Sequence, residues 1–116
     1  VKRDDDLIRK LLIETEAAEE WRVTVFEGLN NPPEEEQRNY HIKLLCDAGL
    51  MTWETGIMYR MTNQGHDYLD AVRSDNIWQK TKDGAAQVGG MTLGMMKELA
   101  IAYLKKEAKD RLGVDL

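Results

Sequence analysis

The apolar positions of this chain change period several times, and each change marks an element. Leu7, Ile8, Leu11 and Leu12 recur at three- and four-residue spacing behind Asp4, Asp5 and Asp6. That pattern predicts a helix over residues 4–20 with an acidic, capped start. Trp21-Arg-Val-Thr-Val-Phe26 is rich in β-branched and aromatic residues and predicts a short strand, with a turn at 27–31. Asn31-Pro-Pro-Glu34 predicts the next helix start, with Asn31 as cap, Pro32 at the first helical position and Glu34 at the capping-box position. This helix is expected to reach Ala48 and to close on Gly49, with Leu50 folding back on its last turn. Met51-Thr-Trp53 and Ile57–Met61 alternate around Glu54-Thr-Gly56, the pattern of a hairpin. Thr62 predicts a cap for a helix over 63–73 that presents Tyr68, Leu69 and Val72 on one face. Ser74 or Asp75 re-caps the chain for a further turn or more around Ile77 and Trp78. Residues 83–91, with Gly84, Gly89 and Gly90, read as a flexible linker. Thr92 then caps a last helix to Leu112, ended by Gly113, with the stripe Leu93, Met96, Leu99, Ala100, Tyr103, Leu104.

This order predicts an α+β, mostly helical fold. Residues 1–82 read as a winged-helix-like domain whose small β-hairpin is the wing, and residues 92–116 as a C-terminal helical extension behind the linker. One piece is missing. A standard helix-turn-helix has a helix directly before its reading helix, and here a strand and an Asn-Pro turn take that place.

On a wheel of residues 34–48, His41, Leu44, Leu45 and Ala48 fall on a core side with Ile42 at its edge. Glu36, Asn39, Tyr40, Lys43 and Asp47 fall outward. Asn39, Tyr40 and Lys43 are therefore candidates to approach DNA bases, and Arg60 on the wing to approach phosphate. Glu36 and Asp47 would repel phosphate. Arg38 lies near the buried edge, placed to pair with a carboxylate. His41 and Cys46 read as packing residues. The stripe from Leu93 to Leu104 is a candidate dimerisation face; the alternative is that it folds back over the first helix.

Composition narrows the choice. The 116 residues are 42% hydrophobic and 32% charged, an ordinary single-domain balance. No apolar run is long enough to cross a bilayer, and the charged start has no signal-type segment behind it, so a cytoplasmic protein is expected. One cysteine and two histidines (His41 and His66) exclude the common zinc motifs. No Gly-x-Ser-x-Gly, P-loop or His-Glu-x-x-His occurs, and Gly84, Gly89 and Gly90 do not follow a strand. No cofactor or metal is expected, and no enzyme. The net charge of −5 is uneven. Residues 1–48 carry seven Lys/Arg against twelve Asp/Glu, whereas residues 49–116 carry nine of each. The negative excess lies on the half that holds the candidate reading helix, which argues against phosphate binding there. The last helix is locally basic, with Lys97, Lys105, Lys106, Lys109 and Arg111.

Four segments together suggest a family. They are Lys2-Arg-Asp-Asp-Asp-Leu-Ile-Arg-Lys-Leu-Leu12, Tyr40-His-Ile-Lys-Leu-Leu45 with Ala48-Gly-Leu50, Met61-Thr-Asn-Gln-Gly-His-Asp-Tyr-Leu-Asp-Ala71, and Ile77-Trp-Gln-Lys-Thr-Lys82. In this order they resemble a small bacterial and prophage-associated family, domain of unknown function 2513. The resemblance implies a winged-helix-like fold and no established activity, so it carries no functional residue onto this chain. Two functions are expected to compete, with the first ahead on fold analogy and the second as its alternative. One is a DNA-binding regulator on double-stranded DNA, paired as a homodimer. The other is a module that binds a host or phage protein and not DNA.

Overall fold

A computed structural model describes residues 1–116. The order is α1 (Asp5–Ala17), β1 (Arg22–Thr24), α2 (Pro33–Asp47), β2 (Met51–Thr55), β3 (Met58–Met61), α3 (Asn63–Val72), α4 (Asp75–Gln87) and α5 (Leu93–Leu112). The fold is α+β and mostly helical, with one small antiparallel sheet of strand order β1-β3-β2. The chain divides into two compact units, Val1–His66 and Asp67–Leu116.

In the first unit, α1 starts where the acidic run predicts: the Asp4 carboxylate accepts the Leu7 N–H at 3.1 Å, and Asp5 and Asp6 fill the first turn. Ile8, Leu11 and Leu12 form its buried stripe, and α2 contributes Ile42 and Leu45. Each such side chain contributes about 1.5–3 kcal/mol by leaving water. In the sheet, Val23 and Trp53 flank Tyr59 across the ladder, while Arg22 and Thr52 flank Arg60. A bulge between Trp53 and Thr55 precedes the turn, which is tighter than the sequence suggests: β2 continues to Thr55, leaving Gly56 (φ 55°) and Ile57 to reverse the chain.

Thr62 links the hairpin to α3. Its Oγ1 accepts the Gly65 N–H at 3.1 Å and donates to the Gly49 carbonyl at 2.6 Å. Gly65 lies so close to the chain below that a Cβ there would collide with the Leu50 carbonyl oxygen.

The second unit shows the largest departure from expectation. Asp83–Gln87 belong to α4, so the glycine-rich break narrows to residues 88–91, where Gly89 and Gly90 have φ of 78° and 121°. Gly84 serves packing and not flexibility, because a Cβ there would lie 2.8 Å from Leu99 Cδ2 on α5. Its missing side chain lets α4 and α5 approach. Ser74 and Thr92 cap α4 and α5 as expected, and Gly113 ends α5 in the left-handed conformation. No helix is long and apolar enough to cross a membrane.

Candidate functional site

Of the four residues singled out for DNA, Asn39, Lys43 and Arg60 are held by partners within the first unit, and Tyr40 stays exposed. Asn39 is a correction: the wheel placed it outward, but it is 7% exposed. Its Nδ2 donates to the Phe26 carbonyl at 2.6 Å and its Oδ1 accepts from Arg38 Nη1 at 3.3 Å. Asn31 is a second correction. It does not cap α2; its Nδ2 donates to the same Phe26 carbonyl at 2.8 Å, and Pro32 holds the cap position without a side-chain bond. The loop after β1 leaves a backbone carbonyl that needs partners, and two asparagines supply them. The core face of α2 is thereby turned toward Asn39, His41, Ile42 and Leu45, leaving Ala48 exposed and Leu44 half-buried.

Lys43 points outward, as expected, but its Nζ lies 2.8 Å from Glu27 and 5.8 Å from the Tyr59 ring centroid. The bond to Glu27, followed by that to Tyr59, raises its pKa. Arg60 faces Glu54 at 3.2 Å and also donates to the Met61 carbonyl. Tyr40 remains 44% exposed, with its ring edge against His41. The first turn of α2 adds Glu34, Glu35 and Glu36. At the helix end where a recognition helix meets bases, this protein therefore presents three carboxylates.

What surrounds Tyr40 is apolar and concave. Two depressions flank it, of about 330 and 610 Å³, sharing Asn31, Glu36 and Tyr40 in their walls. Leu29 lines one and is fully exposed; Pro33 lines the other. Sequence reasoning missed Leu29, because a leucine in a polar turn gives no periodic signal.

Two further residues behave as packing groups. His41 is fully buried, its Nε2 accepting the Asp4 N–H at 2.7 Å and its Nδ1–H donating to the Gln37 carbonyl at 2.8 Å. Only the neutral Nδ1–H tautomer satisfies both partners. Cys46 is half-buried, and burial, reinforced by the Asp47 charge, raises its thiol pKa. In the second unit, Leu93, Met96 and Ala100 are buried within the single chain, and Leu99, Tyr103 and Leu104 are half-buried. The stripe assigned to a dimer face is thus covered in large part within its own chain, where α5 packs on α4.

Among known proteins, an uncharacterized protein of Haemophilus influenzae (strain KW20 Rd) is 34% identical over 90 residues, covering 71% of this chain and 76% of the relative. No solved structure matches. The family described as hypothetical protein (DUF2513) matches residues 2–92, which hold α1 through α4 and every residue of the Tyr40 surface except Val1. The chain belongs to that family.

Proposed function

We propose that this protein is a non-enzymatic protein-interaction module on a winged-helix-like scaffold, and that the outward face of α2 takes a segment of a host or phage protein. The observation that carries this reading is the surface around Tyr40. It is concave, it exposes Leu29 and Tyr40, and Glu27 and Glu36 stand in its walls, with Glu34 and Glu35 beside Glu36 in the first turn of α2. An exposed apolar patch with a polar rim is the usual make-up of a protein contact. The acidic rim favours a partner segment with basic residues around an apolar anchor. A prophage association, which the sequence resemblance implies, would suit a modulator of a host protein.

The experiment is affinity capture from a bacterial lysate, comparing the wild type with Leu29→Asp and Tyr40→Ala. Both positions are exposed, so the fold is expected to survive. A specific partner retained by the wild type and lost by both variants is the expected result. A partner set unchanged by either variant contradicts the assignment of this face.

A second reading, DNA binding by a homodimer, draws on one observation. The sheet order β1-β3-β2 sets a hairpin after α2, where a winged-helix reading expects its wing, and Tyr40 and Lys43 lie outward. It requires Lys43 to leave Glu27 and Arg60 to leave Glu54 for phosphate, next to three further carboxylates.

A further inference from the structure

A second cleft in the first unit, of about 220 Å³, opens between the C-terminal end of α1, β1 and α2. Its apolar wall includes Leu11 and Ile42, both buried. Arg38 lines it and has no carboxylate partner, contrary to the sequence expectation. Its Nη1 alone is used, in two long bonds of 3.3 Å to the Thr24 carbonyl and Asn39 Oδ1. Those bonds anchor the guanidinium from one side. The Nε–H and both Nη2–H donors are left without a protein acceptor. The other charges at the mouth are satisfied by neighbours: Glu20 faces Arg22 at 3.3 Å and Glu14 faces Lys10 at 3.8 Å. One uncompensated positive charge therefore sits over an apolar wall.

We infer that this cleft binds a carboxylate, held by the free edge of the Arg38 guanidinium with its hydrocarbon part against Leu11 and Ile42. The Nε and Nη2 edge of a guanidinium matches a carboxylate with two parallel, charge-assisted bonds. The volume sets the size. At about 220 Å³ the cleft is below the range of roughly 300–1,000 Å³ usual for larger ligands. It fits a short-chain carboxylate or a single acidic side chain. The site does not involve Tyr40 or Leu29, so it stands independently of the function proposed above.

The test follows the Arg38 Nε–Hε resonance and the backbone amides of residues 15–24 and 38–42 by NMR. Sodium butyrate is titrated in one arm against chloride at matched ionic strength, and acetyl-Gly-Glu-Gly-amide in the other. Saturable shifts with butyrate, weakened at least tenfold by Arg38→Gln, establish a site for a free small carboxylate. Saturable shifts with the peptide alone establish the same site for an acidic side chain. Ala18→Leu guards against a folding artefact, since it narrows the mouth and leaves Arg38 intact; it too is expected to weaken binding at least tenfold. Flat titrations with both probes, or shifts that persist unchanged in either variant, overturn the inference.

Discussion

At the residue scale, the chain keeps its polar groups by pairing them inside, and that decides what each can do. His41 shows this most clearly. Its two ring nitrogens join the start of α1 to α2, through Asp4 and Gln37. His41→Ala is expected to cost about 2–4 kcal/mol in urea unfolding, combining a lost buried ring with an unpaired Asp4 N–H. Nitrogen chemical shifts of His41 should report the Nδ1–H tautomer; the Nε2–H tautomer there would contradict the geometry. Cys46 gives a second check. Burial first and Asp47 second push its thiol pKa upward, which disfavours the thiolate. Alkylation by iodoacetamide should therefore rise with pH later than for a free cysteine, and Asp47→Asn should move the profile back toward lower pH. A profile at or below that of free cysteine counts against the described environment. Lys43 and Asn39 were both legible as polar positions on α2. What was not legible was that the Phe26 carbonyl would claim Asn39 and that Glu27 would claim Lys43, because those partners come from a loop whose path the sequence does not reveal.

At the scale of elements, local chemistry was a good guide where it competed with nothing. Asp4, Ser74 and Thr92 cap the helices they were expected to cap, and Gly113 closes the last one. Asn31 failed as a cap because a bond to the Phe26 carbonyl within its own loop was available instead. The stretch after Asp83 failed as a linker because Ala85 and Ala86 favour helix, and because Gly84 is needed at a helix crossing. The two packing glycines should then respond differently to the same change. Gly65→Ala drives a methyl into the Leu50 carbonyl, which is backbone and cannot turn aside, so a loss of about 3 kcal/mol or more is expected in thermal or urea unfolding. Gly84→Ala meets only the end of the Leu99 side chain. The gain in helix propensity, about 1 kcal/mol, offsets much of the crowding, and the net change should stay within about 1 kcal/mol. Equal losses at both positions would mean that one of these two approaches is not as close as described.

At the scale of the molecule, the same sequence of elements admits two uses, and electrostatics separates them. The candidate DNA contacts are a buried Asn39, a Lys43 held by Glu27, an Arg60 held by Glu54, and Tyr40. The helix that carries Asn39, Tyr40 and Lys43 opens on Glu34, Glu35 and Glu36. Bringing phosphates to this face means breaking two ion pairs and adding repulsion, whereas a protein segment gains the exposed surface of Leu29 and Tyr40. The charge imbalance was visible in the sequence, as the negative excess of residues 1–48. The concave surface was not, because it depends on a turn leucine that meets α2 only in the folded chain. The most direct measurement is fluorescence anisotropy of a labelled random-sequence duplex titrated with the protein over a salt series that begins at low ionic strength. A protein-binding face predicts no saturable binding even at the lowest salt. Saturable binding that falls steeply with salt and is abolished by Lys43→Glu would contradict the account and return the outward face of α2 to the DNA groove.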